Sequence, residues 1–360
     1  MRIPSFGKSP SGKRLERIKT SPNYRENAFR NQAPTPMMSA DASRFGMIRE
    51  AMRKDLRRRP AAALPVISGG FPDVTGRPVL TWFGHSSYLI QTSGLNILVD
   101  PVFSSRVSFT SYLGPRAYAF STDISLQDLP PVDIVILTHD HYDHLDYRTI
   151  RQLRNSVKAF YVPLGVGAHL AYWGVPENRI TELDWWDSAD LPRDLKLTAA
   201  PARHFSGRSF TRNKTLWASY VLETGDSRLY LGGDSGYDAH FAEIGEKYGP
   251  FDLTILENGQ YNPQWPFIHM MPEETVQACI DLKGKALLPV HWGRFSLALH
   301  AWDDPVIRLV KKAKDLNVKV ATPRIGEPVK IGGDYPSVAW WDLNEQSPHE
   351  NSSSSDSCRH

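Results

Sequence analysis

The sequence predicts a layered α/β domain, in which helices cover β-sheets, and three observations predict it. Short apolar segments recur between residues 79 and 290, segments with helical spacing of apolar residues lie among them, and turn residues such as Ser93-Gly94 separate them. Many strands with interspersed helices are typical of α/β or α+β domains. The chain has 360 residues, 41% of them hydrophobic, which is enough apolar material for a sizeable core.

The apolar segments are mostly four to five residues long, which favours strands over helices. We predict strands at residues 79–83, 88–91, 96–99, 134–137, 159–162, 195–199, 218–222, 229–231, 253–256 and 286–290. We predict helices at residues 145–153, 239–248, 272–283 and 305–316. The helix at 272 is the best marked, because Pro272 and two glutamates open it and Gly284 follows it.

Charge divides the chain into a basic N-terminal segment and an acidic body. Residues 1–60 carry 15 Lys+Arg and 5 Asp+Glu, a net of +10, so the overall +3 leaves −7 for the rest. We expect residues 1–40 to be extended or partly disordered. The sequence thus predicts a basic N-terminal arm and helix at 1–60, a hydrolase domain at 61–344 and a disordered tail at 345–360.

A further helix is predicted at residues 41–59. Ser43 is a suitable cap, and Phe45, Ile48, Met52 and Leu56 recur at spacings of three and four. Such a stripe most often packs on the main domain. A basic amphipathic helix can instead lie on an anionic membrane, so peripheral membrane contact stays open.

Several classes of protein are disfavoured by composition. The two cysteines, Cys279 and Cys358, cannot form a disulfide framework and fit a reducing compartment. No apolar run approaches a membrane span, and there is no ordinary secretory signal. The acidic body carries no basic stripe, so no nucleic-acid partner is expected. We predict a cytoplasmic protein with membrane association left open, and the oligomeric state stays unknown.

The sharpest chemical signal is the segment 138–144, Thr-His-Asp-His-Tyr-Asp-His, directly after a predicted buried strand. Alternate residues of an extended chain project to the same side, so His139 and His141 can bind one cation. Asp143 and His144 follow where the chain enters a helix and can serve a second, neighbouring cation. Imidazole and carboxylate are ligands that suit zinc.

Three further predicted strands each deliver one residue of a metal-binding type at their exit. These residues are His204, Asp234 and His291. Gly232 and Gly233 would let the backbone bend close to the ions so that Asp234 bridges them. A solvated cluster of His and Asp is the structural alternative, but four separate strand exits make it a poor explanation. Taken singly, each of these residues would more often have a surface or core role.

At this point the chain resembles the metallo-β-lactamase superfamily, whose His-x-His-x-Asp-His signature is read at residues 139–144. It further resembles the branch of N-acylphosphatidylethanolamine-hydrolysing phospholipases D. The segments that carry this resemblance are Trp82-Phe83-Gly84-His85-Ser86-Ser87, Asp100-Pro101-Val102-Phe103-Ser104-Ser105-Arg106, Gly114-Pro115-Arg116, Leu183-Asp184-Trp185-Trp186, Gly233-Asp234-Ser235-Gly236-Tyr237, Gly249-Pro250-Phe251-Asp252 and His291-Trp292-Gly293.

The resemblance implies a four-layer αββα sandwich with two zinc ions at one edge, between the sheets. It implies that one zinc is bound by His139, His141 and His204, the other by Asp143, His144 and His291, with Asp234 bridging them. It also implies that His269 is an active-site histidine near the substrate phosphate, although Ile268 stands where the family typically has Gln. An ordinary loop histidine is the alternative for His269. His85 and Asp100 are candidates to orient the metal ligands.

The mechanism that follows is hydrolysis by a hydroxide held between two cations, with Asp143 and Asp234 orienting it and His269 donating a hydrogen bond or proton. The predicted function is phosphodiester cleavage in a phospholipid such as N-acylphosphatidylethanolamine. The same metal pair would serve a lactone, a sugar-phosphate lactone or a nucleotide phosphodiester. A non-catalytic zinc protein is the third reading, but structural zinc sites are usually closed and rich in Cys.

Overall fold

Two β-sheets packed face to face form the centre of the molecule. The computed structural model describes residues 3–53, 57–72, 74 and 76–343, so the predicted tail at 345–360 lies outside the described residues. The strands are β1 (Tyr24–Arg25), β2 (Ala28–Phe29), β3 (Val79–Trp82), β4 (Tyr88–Thr92), β5 (Leu95–Val99), β6 (Ile134–Ile136), β7 (Ala159–Pro163), β8 (Ile180–Leu183), β9 (Ser188–Leu191), β10 (Leu195–Ala200), β11 (Ser219–Thr224), β12 (Ser227–Leu231), β13 (Leu253–Glu257), β14 (Leu287–Val290) and β15 (Pro328–Lys330).

Seven α-helices accompany the strands in the described part of the chain. They are α1 (Gly12–Lys19), α2 (Arg44–Ala51), α3 (Tyr147–Leu153), α4 (Gly167–Tyr172), α5 (His240–Tyr248), α6 (Pro272–Asp281) and α7 (Asp304–Asp315). Helix α3 begins later than predicted because the Asp146 carboxylate caps it, accepting a hydrogen bond from the Arg148 amide.

Each large sheet mixes parallel and antiparallel pairs. One sheet has the order β15-β3-β4-β5-β6-β7-β8 and is parallel from β5 to β8; the other has the order β14-β13-β12-β11-β10-β9 and is parallel from β12 to β14. A short hairpin of β1 and β2 stands apart from both. The parallel strands bring their carboxyl ends to one edge of each sheet.

The apolar side chains define four layers. The largest core cluster fills the space between the sheets, with Ile97 and Ile136 from one and Leu222 and Ile255 from the other. A second cluster joins the outer face of the seven-stranded sheet to α3 and α4, and a third joins the other sheet to α5, α6 and α7. The predicted αββα sandwich is therefore confirmed, as are all ten predicted strands, within one or two residues at their ends.

The expectation that residues 1–40 are extended or partly disordered is wrong. Helix α1 and the β1–β2 hairpin lie in this segment, and Ile18 and Phe29 are fully buried in the core between the sheets. Arg14 donates to buried Glu182 at 2.7 Å, which fixes α1 against the domain. Basic composition suggested disorder, but a few apolar anchors suffice to hold the segment in place.

The helix predicted at 41–59 is shorter, because α2 ends at Ala51 and residues 57–59 are irregular. Ser43 caps it as predicted, accepting a hydrogen bond from the Gly46 amide at 3.0 Å. The expectation that its stripe packs on the domain is wrong: Phe45 is 77% exposed, and Ile48 and Met52 are more than half exposed. Leu56 lies outside the described residues.

Candidate metal centre

The seven residues predicted as metal ligands meet at one edge of the sandwich, where β6, β10, β12 and β14 end. They form two neighbouring groups, and within each group the ligand-type atoms lie within 4.8 Å of one another. The first group contains His139, His141, His204 and Asp234, and the second contains Asp143, His144 and His291 together with His85. That these residues bind metal stays a prediction, but the fold brings them together as the sequence reasoning required.

Asp234 lies between the two groups. Its Oδ1 atom is 3.2 Å from His144 Nε2 and 3.3 Å from His291 Nε2. Its Oδ2 atom is 3.7 Å from both His139 Nε2 and His204 Nε2. One carboxylate thus presents a separate oxygen to each group, which is the arrangement that a ligand shared by two cations requires.

Gly232 and Gly233 hold Asp234 in this position by close packing with the protein. A Cβ atom at Gly232 would lie 2.6 Å from the Ile255 carbonyl oxygen, and one at Gly233 would lie 2.7 Å from Thr138 Cβ. These glycines therefore let the end of β12 press against β13 and the histidine-rich segment. Gly232 and Gly233 were predicted to let the backbone approach the ions, but what they approach is β13 and residue Thr138.

Carboxylates and carbonyl groups behind the imidazoles fix their orientation, as is usual for metal-binding histidines. Asp100 Oδ2 lies 2.7 Å from His144 Nδ1, and its Oδ1 accepts a hydrogen bond from the Thr138 amide. The carbonyl oxygen of Ile268 lies 2.9 Å from His204 Nδ1. Position 268 therefore supports the site through its backbone, which Ile supplies as well as any residue.

His85 belongs to the second group by distance and is placed to hold Asp143. Its Nε2 lies 2.9 Å from Asp143 Oδ2, and the ring is fully buried. Backbone hydrogen bonds between the 85 and 291–292 segments, in both directions, tie it to the exit of β14. His85 and Asp100, which were predicted to orient metal ligands, therefore contact the predicted ligands Asp143 and His144.

Glu257, at the end of β13, is a buried carboxylate that the sequence analysis missed. Its Oε1 accepts hydrogen bonds from the amides of Ser235 and Met270. Its Oε2 lies 2.7 Å from His269 Nδ1 and 3.3 Å from His291 Nδ1. The rule that found the other residues, a polar side chain directly after a predicted buried strand, would have found Glu257 as well.

His269 borders both groups. Its ring centroid is 5.1 Å from that of His204 and 5.3 Å from that of His291. The side chain is 13% exposed, and that of Asp143 is 14% exposed. The centre is therefore buried on most sides and open to solvent where His269, His141 and Asp143 lie.

Asn31, in the N-terminal arm, was also missed, and no motif or spacing marks it. Its Nδ2 donates to the His204 carbonyl oxygen at 2.8 Å, and its Oδ1 accepts from the His204 amide at 3.1 Å and from Trp217 Nε1 at 3.0 Å. Both backbone groups of a predicted ligand are thus held by one side chain from the arm.

We expect the Asn31→Ala variant to bind the first cation about tenfold more weakly, since groups that orient a metal ligand typically contribute this much. Metal affinity measured by competition with a chromophoric chelator would test it. Asn23→Ala is the matched control, because Asn23 lies in the same arm but bonds to Asp184. Equal affinities in both variants would refute the role of Asn31.

Burial and mutual charge separate the imidazoles into two kinds. Burial, reinforced by neighbouring histidines, holds the pKa of His139 well below its usual value, and burial does the same for His204. Burial also opposes charge on His291, but Asp234, Asp143 and Glu257 raise its pKa to about 10. The pKa of His144 is likewise raised, against burial, by Asp234, Asp143 and Asp100.

These directions predict that metal loading releases protons. Without metal, His144 and His291 carry protons at neutral pH because their pKa values are raised. A cation must displace those protons, so its affinity should rise with pH between about 6 and 8. Calorimetric titration in buffers of different ionisation heats would measure the protons released. Affinity independent of pH would contradict this.

The residues present fit a pair of divalent cations. His144 Nε2 and Asp234 Oδ1 are buried and lie 3.2 Å apart without forming a hydrogen bond, which is costly for polar atoms unless a ligand satisfies them. Among the described residues the donors of both groups are imidazole nitrogens and carboxylate oxygens, without cysteine. Such donors suit zinc and also other divalent ions.

The Beta-lactamase superfamily domain matches residues 95–292, which is more than half of the chain. The chain belongs to the metallo-β-lactamase superfamily. It is a metal-dependent hydrolase of that superfamily. A protein of Mycobacterium tuberculosis is 45% identical over 329 residues, covering 90% of this chain and 88% of the relative.

Two relatives carry the name of the predicted branch. The N-acyl-phosphatidylethanolamine-hydrolyzing phospholipase D 1 of Caenorhabditis elegans is 34% identical over 60% of this chain and 64% of its own length. The mitochondrial N-acyl-phosphatidylethanolamine-hydrolyzing phospholipase D of Saccharomyces cerevisiae is 32% identical over 64% of this chain and 50% of its own length. The predicted resemblance to this branch is confirmed.

Solved structures show the same fold. Igni18, a metallo hydrolase from the archaeon Ignicoccus hospitalis, superposes with a TM-score of 0.57 at 21% identity, covering 72% of this chain and all of that one. CmlA, a diiron β-hydroxylase from Streptomyces venezuelae, gives 0.54 at 16% identity, over 72% of this chain and 55% of that one. At such identities the likeness concerns the fold alone. Within the described part of the chain, every helix is too short or too polar to span a bilayer.

Proposed function

We propose that this superfamily member is a two-zinc hydrolase that cleaves the phosphodiester bond of N-acylphosphatidylethanolamine-like phospholipids. The observation that carries the two-metal part is the position of Asp234, whose two oxygens face two separate groups of imidazoles. The worm and yeast relatives, which are named for this reaction, support the phospholipid part.

When bound, a pair of zinc ions supplies an activated water and Lewis-acid polarisation of the phosphoryl group. The chain's own residues do the rest. Asp143 and Asp234 stay ionised, because the neighbouring imidazoles hold their pKa values well below the usual range despite burial. They can therefore serve as anionic ligands and as acceptors that orient the water.

His269 is the residue placed to hold a proton for the reaction. Its Nδ1 faces the Glu257 carboxylate, so Nδ1 keeps its proton and Nε2 is the atom that can exchange one. The ring stands at the open side of the centre, where substrate would approach. From there Nε2 would donate to a phosphoryl oxygen or to the leaving oxygen.

A substrate panel tests the proposal. Protein with measured zinc content is incubated with an N-acyl phospholipid, bis-p-nitrophenyl phosphate and a simple lactone, each with and without a chelator. We expect phosphatidic acid from the phospholipid, and its loss on chelation. Turnover of the lactone alone would overturn the phosphodiesterase assignment, and turnover that survives full metal removal would overturn the two-zinc centre.

We further propose that helix α2 contacts the membrane that carries the substrate. Phe45 and Ile48 on α2 and Met52 directly after it are exposed, and Arg49 lies among them. An anionic membrane surface would accept both the apolar side chains and the positive charge. The Ser39 amide donates a hydrogen bond to the Gln264 carbonyl oxygen, and the Ser43 amide donates one to the Gln264 side chain. These bonds join the start of the helix to the loop before His269.

Replacing Phe45, Ile48 and Met52 together with Ser is expected to weaken binding to anionic vesicles about tenfold or more, since three exposed apolar side chains would lose their lipid contacts. Flotation with phosphatidylglycerol-containing vesicles measures this, and turnover of bis-p-nitrophenyl phosphate should not change. Exposed Ile307→Ser on α7 is the matched control. Unaltered flotation of the triple variant would refute the contact. Point changes are needed because deleting the arm would also remove Ile18 and Phe29 from the core.

A further inference from the structure

Arg294, three residues after the predicted ligand His291, is a buried cation. The residue is 5% exposed, and among the described residues it forms no ion pair. Its Nη1 donates to the Phe83 carbonyl oxygen at 3.1 Å, while its Nε is buried without a partner. Asp146 interacts with Arg294 through its charge alone. The oxygens of its carboxylate accept hydrogen bonds from Ser104, Thr149 and Arg148 instead.

Aromatic rings surround the guanidinium. It lies 5.2 Å from the ring centroid of Phe120, 5.7 Å from that of Phe295 and 5.9 Å from that of Phe103. Cation–π contacts offset part of the loss of hydration, but a buried cation remains costly without an anion. The surroundings therefore favour an anion beside Arg294.

A cleft of about 650 Å³ opens where such an anion would bind. Arg294 lines it together with Arg59 and Arg116, and Asp123 contributes one opposing charge. Phe103, Phe120 and Ile124 supply an apolar wall in the same cleft. Three arginines against one carboxylate make the cleft positively charged, although Arg59 Nη1 and Nη2 already donate to the Arg116 and Ala117 carbonyl oxygens. A positive cleft suits phosphate, which guanidinium recognises with paired hydrogen bonds.

The cleft is separate from the metal centre, since none of the predicted metal ligands lines it. Phe295 contacts both sides: its ring lies 5.7 Å from the Arg294 guanidinium and packs edge-on against His85 at 5.3 Å. The segments 100–106 and 114–116, quoted above for the family resemblance, supply Phe103 and Arg116 to the cleft, whereas Asp100 of the first segment contacts the predicted ligand His144.

We propose that this cleft binds an organic phosphate, with the phosphate group against Arg294 and Arg116 and an apolar body against Phe103 and Phe120. The claim concerns binding and does not depend on the metal centre or on the phospholipid substrate. It places an anion site next to Phe295, whose ring packs against His85, the residue that holds Asp143.

Calorimetric titration with phenylphosphonate tests the site, because this probe has a phosphate-like head, an aromatic body and no ester bond to cleave. Relative to wild type, we expect about tenfold weaker binding for Arg116→Gln and Arg294→Lys, and tighter binding for Asp123→Asn. Arg151→Gln, an exposed charge on α3 outside the cleft, should change nothing. Inorganic phosphate, titrated in parallel, should bind more weakly if the apolar wall contributes.

Opposite shifts for Arg116→Gln and Asp123→Asn distinguish the cleft from the metal centre, because phosphonate bound to metal would respond to neither. Arg116 and Asp123 are exposed, so their variants still test the anion site if Arg294→Lys fails to fold. Absence of phenylphosphonate binding, or binding that none of the three variants alters, would overturn the proposal. Metal content and bis-p-nitrophenyl phosphate turnover, measured on the same samples, report separately on the proposed hydrolase activity.

Discussion

The Asp234→Ala variant is expected to lose hydrolytic activity by about a thousandfold or more and to bind at most one cation tightly. Asp234 supplies one oxygen to each group of imidazoles, so its removal weakens both proposed sites at once. Two cations that share a carboxylate stabilise the charge on the attacking and leaving oxygens in the transition state, and loss of one cation removes much of that stabilisation. Turnover of bis-p-nitrophenyl phosphate and metal content by mass spectrometry would measure the two effects.

The control for this variant must separate loss of the centre from loss of the fold. Asp226→Ala changes an exposed carboxylate in the turn between β11 and β12, and it should leave turnover and metal content as in wild type. Circular dichroism of the Asp234 variant would show whether the sandwich is intact. A folded Asp234→Ala protein with two tightly bound ions and near-normal turnover would contradict a shared ligand.

The sequence was sufficient to predict that the candidate metal ligands lie together, because strand exits carry a simple geometric signal. A buried strand is recognisable from its apolar run, and parallel strands of one sheet end at the same edge, so ligand-type residues at several exits must meet. His139, His204, Asp234 and His291 were all found in this way. Glu257 comes directly after the apolar run 253–256, at the end of β13, so the same rule applies to it although it was not selected from the sequence.

The N-terminal arm could not be predicted in the same way. Its composition is that of a solvated segment, and what holds it is a small number of long-range contacts, such as Arg14 with Glu182 and Asn31 with the backbone of His204. Neither contact leaves a periodic pattern in the sequence, since the partners are more than 160 residues apart. Helix α2 was mispredicted for the opposite reason, because spacing reveals an apolar stripe but does not tell which surface covers it.

Glu257→Gln and His269→Asn are expected to impair hydrolysis in different ways. Oε1 of Glu257 accepts hydrogen bonds from two backbone amides, so a Gln at this position would keep its carbonyl oxygen there. Its NH2 group would then face Nδ1 of His269 and Nδ1 of His291. Both rings would then have to accept at Nδ1 and carry their proton on Nε2. For His291, Nε2 is the atom that faces Asp143 and Asp234.

A protonated Nε2 cannot bind a cation, so Glu257→Gln should weaken the second metal site by about 10- to 100-fold as well as lower turnover. His269→Asn should leave both metal affinities unchanged and lower kcat by about 100- to 10,000-fold, as expected for loss of a proton donor. Metal competition and steady-state kinetics on the same samples separate the two, with exposed Glu243→Gln on α5 as the control. If His269→Asn lost metal while Glu257→Gln kept it, the roles assigned to this pair would be reversed and His269 would itself be a ligand.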